Sequence, residues 1–271
     1  MGDRILRRRR AAFAAGLATL ALALGTAAGP AAAAPALAYV ALGDSFAAGQ
    51  GAGSYLDTSC LRSADSYPAD AVAKKSVRLA INAACQGATT EEVVATQLER
   101  LNKSIAVVTI TAGGNNLDTT GLLAVCSVDQ IACVQGLQSR STALAEAATG
   151  TGPLYQGLAS MIREVKAKAP DARVYVTGYP LLFDSPAPGS LEASVNSLTQ
   201  GLNAVIARAA IYEGAQYVDV SGAFLGHGIG SAAPWINFSV PLANPDNFHP
   251  NATGYRAYYS ALAAAGAYST P

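Results

Sequence analysis

Five short apolar runs rich in β-formers alternate with longer stretches of helical spacing, and this alternation restricts the possible folds more than any other feature. The runs are "AYVAL" near 38–42, "VRLAI" near 77–81, "AVVTITA" near 106–112, "RVYVTG" near 173–178 and "QYVDV" near 216–220. Between them, "TTEEVVATQLERL" opens with Thr89-x-x-Glu92, the capping-box pattern of a helix start. "LYQGLASMIREVKAKA", "SLEASVNSLTQGLNAVIARAAIYEG" and the terminal "NATGYRAYYSALAAA" carry apolar residues at helical intervals. Nearly continuous apolar strands separated by helices imply a parallel sheet covered on both faces. Ligands of such sheets bind beyond the carboxyl ends of the strands. "GTGP" at 150–153 is a break between two helices, and no repeat or interdomain linker interrupts the chain.

The first ten residues, "MGDRILRRRR", hold five arginines and one aspartate, and an Ala/Leu-rich stretch and "PAAAAPALA" follow. A basic head, an apolar middle and an Ala-x-Ala end form the layout of a secretory signal peptide, expected over 1–34, with a second possible cleavage point after Ala38. A membrane anchor is the competing reading, but Gly, Thr and small alanines dilute the run. The paired arginines before Phe13 also permit twin-arginine export. Residues 35–271 then form one domain, exported and soluble. Without the leader, the chain's 18 positive and 18 negative charges become 13 and 17. A net charge near −4 with no basic stripe argues against nucleic acid as a partner. No later apolar run reaches membrane-spanning length, and a monomer is expected.

Four cysteines in an exported chain suggest two disulfides. Of three possible pairings, Cys60–Cys85 and Cys126–Cys133 are preferred because each closes one local loop. A metal site has little support: no C-x-x-C occurs, and His227 is distant in sequence from every cysteine.

"YVALGDSFAAGQG", Tyr39 to Gly51, places Ser45 where the first strand should turn into a helix. Asp44 and Ser45 are both good N-caps, so a capped helix is the plain reading. The alternative, a nucleophile, needs a base, something to orient the base, and donors for an oxyanion. Only two histidines exist, His227 and His249. His227 lies in "FLGHGIG", with no carboxylate nearby, and is expected in a loop or at a substrate rim. His249 lies in "NPDNFHPNATGY", three residues after Asp246 and directly before Pro250, which makes it the expected cap at the entry to the last helix. A tight turn would fold the Asp246 carboxylate onto Nδ1 of His249 and leave Nε2 to accept from Ser45. Candidate oxyanion donors are the N–H groups of Ser45 and Gly87 and the side-chain amide of Asn115, each following a strand.

The ordered set "GDSFAAGQG", "CQGATT", "TAGGNN" and "DNFHP" resembles the four signature blocks of the SGNH, or GDSL-type, hydrolases, most of all their exported bacterial lipases and esterases. The likeness runs from about Tyr39 to the last helix. It implies a flavodoxin-like α/β/α sandwich on a five-stranded parallel sheet, with Ser45 as nucleophile, His249 as base and Asp246 orienting it. Ser45, Gly87 and Asn115 would hold the oxyanion, and no metal or organic cofactor is implied. Two departures stand out. Asn116 replaces the usual acid of the third block, which predicts altered loop bonding with catalysis retained. Gly230 stands where relatives often carry a cysteine, which predicts a less restrained His227 loop.

The resemblance implies cleavage of a lipid or simple carboxylic ester through an acyl-enzyme on Ser45. Phospholipase and polysaccharide acetyl esterase activities remain open, with a non-catalytic secreted binding protein behind them; a protease has little support. Apolar residues in "TGYPLLF" and in the 232–242 stretch "AAPWINFSVPL" are candidates to line an acyl channel. With no long lid helix, marked interfacial activation is not expected.

Overall fold

A computed structural model describes residues 36–73, 77–126, 128–240 and 242–270. The expected leader, 1–34, lies outside the described residues. Each of the five apolar runs forms a strand: β1 (Leu37–Gly43), β4 (Val77–Asn82), β5 (Val107–Thr111), β6 (Arg173–Thr177) and β7 (Gln216–Val218). They make one parallel sheet in the order β4-β1-β5-β6-β7. All five residues of β5 are buried, as are the last five of β1, which requires cover on both faces.

One helical layer contains α3 (Thr90–Thr96), α5 (Gln130–Ala148), α6 (Gly152–Lys168) and α7 (Leu191–Tyr212), which pack on one another. A second contains α2 (Tyr67–Ala73) and α8 (Ala252–Ala264), whose Tyr67 and Tyr258 rings stack 4.8 Å apart. The capping box of α3 forms in both directions between Thr89 and Glu92. The "GTGP" break separates α5 from α6, with Pro153 in the first turn of α6, where its missing N–H costs nothing. Full burial of Leu42, Ile110, Leu158, Ile162 and Ile206 contributes about 1.5–3 kcal/mol each. The strand ends are thereby anchored to a rigid centre.

Smaller elements complete the chain: a one-turn helix α1 (Ser45–Ala48), a short hairpin of β2 (Tyr55–Asp57) and β3 (Arg62–Ser63), and α4 (Thr119–Cys126). Disulfides join Cys60 to Cys85 and Cys126 to Cys133. The first ties the hairpin segment to the loop after β4. The second closes the turn between α4 and α5. Among the described residues, no helix is long and apolar enough to cross a membrane.

After β1 the chain pairs first with β4 on one side and then with β5 on the other. The carboxyl ends of β1 and β5 therefore flank the point where strand order reverses, the expected place for a ligand crevice. Ser45 follows β1 by two residues, and Asn115 follows β5 by four.

Candidate active site

Gly43 is what lets β1 end in a sharp turn. Its φ is +129°, and a Cβ there would lie 2.0 Å from the Thr111 carbonyl oxygen, so a side chain would break the β1–β5 contact. The buried Gln97 amide reads Gly43 like a neighbouring strand, donating to its carbonyl at 2.8 Å and accepting from its N–H at 2.7 Å. Asp44 then caps α1, its Oδ1 accepting from Phe46 N at 3.0 Å. The capping and nucleophile readings of "GDS" are thus compatible: Asp44 caps, and Ser45 is the first residue of the turn.

His249 Nε2 lies 2.8 Å from Ser45 Oγ, across 204 positions of sequence. The other ring nitrogen, Nδ1, lies 2.9 Å from the main-chain carbonyl of Asn247. A carbonyl can only accept, so Nδ1 carries the proton and Nε2 is left to accept from the serine. Desolvation pushes the imidazole pKa down from 6.5 to about 4, opposed by the Asn247 bond and the charge of Asp246. The ring is therefore neutral at pH 7, with Nε2 unprotonated.

Asp246 is not placed as the sequence suggested. Its Oδ1 accepts from the Tyr55 hydroxyl, which itself accepts from Gly51 N at 2.8 Å. The turn 244–249 lets His249 N reach the Asp246 carbonyl at 3.2 Å, and Nδ1 finds the Asn247 carbonyl before any side chain can arrive. Asp246 instead helps to fasten the histidine loop to the segment after α1. Gln50 Nε2 donating to Pro245 O and Asn237 Nδ2 donating to Gly51 O at 2.9 Å complete this seam. Gly51 makes the seam possible: its φ is +93°, and a Cβ would stand 2.7 Å from Asn237 Nδ2 and 2.9 Å from His249 Cβ. His249 does not cap the last helix either. Asn251 does, accepting from Thr253 and Gly254 N–H.

Asn115 sits in a 3₁₀ turn beside the serine, and one of its amide hydrogens goes to the Ala88 carbonyl at 3.0 Å. The second hydrogen of that amide is available to a ligand. The same bond brings the "CQGATT" block against the "TAGGNN" block. Gly87 itself stands on an exposed turn with φ +74° and is not part of the cleft wall around Ser45. Asn116 bridges to α3: its Oδ1 accepts from Thr90 N, and its Nδ2 donates to Thr90 Oγ1 and Glu91 Oε2, all within 3.1 Å. An aspartate there would face Glu91 with no proton to give, which accounts for the amide.

Ser45 and His249 open onto a cleft lined by Leu122, Leu123, Leu182, Val195, Leu198 and Leu202. Tyr179, Pro180 and Leu182 of "TGYPLLF" belong to its wall, but none of the described residues of 232–242 does. In that stretch Ile236 is buried, and Trp235 stacks on His227 with ring centres 3.5 Å apart. Helices α4 and α7 take its place in the wall. The His227 loop is better held than its missing cysteine suggested, because Ile229 makes a parallel bridge with Phe183 and exchanges backbone bonds with Leu182 and Asp184. His227 does not line the cleft.

A flavodoxin-type sheet with a serine–imidazole pair at its switch point defines a class of α/β hydrolases that act through serine. Residues 41–257 match the GDSL-like Lipase/Acylhydrolase family, and the chain belongs to it. It is a carboxylic ester hydrolase of the lipase/esterase kind. The chain is 38% identical to a lipase of Streptomyces rimosus, over 92% of this chain and 94% of that one. Among solved structures it resembles phospholipase A1 of Streptomyces albidoflavus NA297 (TM-score 0.76, 33% identity, 84% of this chain and 99% of the other). It also resembles the extracellular lipase of S. rimosus (TM-score 0.75, 33% identity, 85% and 100%).

Proposed function

We propose that the chain is a secreted, single-domain lipid esterase in which Ser45 and His249 act as a catalytic pair oriented by a main-chain carbonyl. The observation that carries this reading is the 2.8 Å contact between Ser45 Oγ and His249 Nε2, with Nδ1 already committed to Asn247. Ser45 Oγ attacks the ester carbonyl carbon while its proton passes to His249 Nε2. The tetrahedral oxyanion is held by the Ser45 N–H and the second hydrogen of the Asn115 amide, and Gly87, on its exposed turn, takes no part. Collapse breaks the bond to the alcohol, which leaves with the proton from His249. Water then attacks the acyl-enzyme by the same route, freeing the acid and restoring Ser45. The Asn247 carbonyl keeps the imidazole in the right tautomer and takes a stronger bond from it once it is charged.

An apolar cleft favours an acyl chain over a sugar. Apolar side chains also stay exposed elsewhere: Val128 and Ile131 beyond α4, and Phe238 and Val240 in the stretch ahead of His249. Exposed apolar patches of this kind suit contact with lipid. Export is supported by the basic-apolar-Ala leader, the two disulfides, and the extracellular source of the S. rimosus structure. Hydrolysis of p-nitrophenyl esters from acetate to palmitate, with Ser45→Ala as control, tests the reading. Activity rising toward medium and long chains is expected, and activity confined to acetate would contradict it. Phosphatidylcholine is the second arm, because a similar structure is a phospholipase A1. Acetylated xylan is the third, on which little turnover is expected.

A further inference from the structure

Tyr179 lies outside all four signature blocks, yet it touches two of them. It follows β6, is buried, and presents its hydroxyl between the nucleophile turn and the loop after β5. The hydroxyl donates to Asp44 Oδ2 at 2.5 Å and accepts from Gly114 N at 3.0 Å. Its ring meets Phe46 edge-on, with centres 5.0 Å apart, and Gly114 packs against it, where an added Cβ would be 3.4 Å from the ring. The backbone of Tyr179 is gripped on both sides by Asn203, whose amide accepts from its N–H and donates to its carbonyl at 2.8 Å each. So Tyr179 is fixed by α7, and the two loops are fixed to Tyr179.

We propose that Tyr179 is a positioning residue, whose hydroxyl sets the spacing between two oxyanion donors, the Ser45 N–H and the Asn115 amide. The inference rests on the hydrolase reading of this site. Its chemistry is direct. Asp44 Oδ1 holds the start of α1, and the peptide N–H of Gly114 begins the turn that carries Asn115. Both are referenced to one oxygen atom. If that oxygen is removed, Asp44 loses a donor and Gly114 N–H loses its acceptor, and the tie between the two loops that passes through this oxygen is gone. Misplacement of such groups by about 1 Å costs up to about 10²-fold in rate.

Protonation of Asp44 provides a second readout. Burial raises its carboxyl to about 7, while the bonds from Tyr179 and Phe46 pull it back down. Tyr67, Tyr179, Tyr255 and Tyr258 are the titratable groups that feel its charge. The clamp is strongest when Asp44 is ionised, because a carboxylate is the better acceptor. Activity in the wild type should therefore gain a step as pH rises through about 7. Tyr179→Phe removes a bond that favours the carboxylate, so the step moves to higher pH.

The experiment is kcat, KM and the pH profile of Tyr179→Phe and Asp44→Asn on a soluble p-nitrophenyl ester, with Ser45→Ala in parallel. Tyr179→Phe keeps the ring and leaves no large cavity. It is expected to lower kcat about 10- to 100-fold with KM within about twofold, and to shift the step upward. Asp44→Asn should abolish the step. Unchanged kcat in Tyr179→Phe, or a loss carried by KM alone with the step in place, overturns the proposal. If Tyr179→Phe does not fold, a step near pH 7 that persists in Asp44→Asn overturns it equally. Turnover retained by Ser45→Ala would instead refute the hydrolase reading itself, so the two failures are distinguishable.

Discussion

The turn that carries Ser45 and the turn that carries His249 are built in opposite ways. Residues 43–48 leave the central strand and are buried, and their polar groups are held by three side chains, Gln97, Asn82 and Tyr179, and by the main-chain carbonyl of Thr111. Residues 236–249 form an outer loop, with Phe238, Val240 and Leu242 exposed, and the base is held by its own backbone two residues away. In the proposed mechanism the nucleophile is thus positioned by the whole sheet, and the base by a local turn fastened at one seam. Precision is supplied where the oxyanion forms. The base needs only its tautomer and its reach.

This contrast can be broken at either end. The largest effect is expected from Ser45→Ala, on the order of 10⁵-fold or more in kcat, measured by ester hydrolysis with loss of fluorophosphonate labelling. Asn115→Ala should cost about 10²–10³ in kcat while the protein stays folded, as loss of a single oxyanion donor does. Gly51→Ala attacks the seam. A Cβ at φ +93° and 2.7 Å from two neighbours must push the histidine loop outward, for a loss on the order of 10²-fold in kcat and a lower Tm. Here the Ser45 turn stays intact, so labelling by fluorophosphonate should slow and not vanish.

The pH dependence sharpens the same comparison. Because the imidazole is pushed down to about 4, the limb of kcat/KM that belongs to His249 should inflect near pH 4, apart from the step near 7 that belongs to Asp44. The sign for stability follows. His249 takes up a proton more readily in the unfolded chain, so its contribution is fully present above pH 6.5 and is lost as pH falls toward 4. Burial of Asp44 acts the other way, costing stability as pH rises from 3.8 toward 7. Thermal melts of Asp44→Asn against wild type should therefore favour the variant more at pH 8 than at pH 4.

The sheet was legible because its strands are apolar on both faces, so runs such as "AVVTITA" could belong to little else. The β2–β3 hairpin escaped notice because strands of three and two residues leave no period to detect. Ser45, His249 and Asn115 were legible from their blocks, and the two local disulfides from loop closure. What misled was Asp246, the nearest carboxylate in sequence to His249. The group that meets Nδ1 is a backbone carbonyl, and every residue has one, so no side-chain pattern marks it. The "GQG" around Gly51 was the available signal for the seam, since a glycine wedged between two loops suggests close approach. Tyr179 and Gln97 were hidden for another reason: their partners are main-chain atoms or caps more than fifty positions away.

The most direct test of the carbonyl-held base is kcat/KM of Asp246→Asn. The substitution removes the carboxylate yet keeps an oxygen for the Tyr55 hydroxyl, so the seam should survive. Loss of less than about tenfold is expected, with the Ser45–His249 pair intact. A fall near the 10⁴-fold that amide replacement of a triad acid produces would contradict it and return Asp246 to the imidazole.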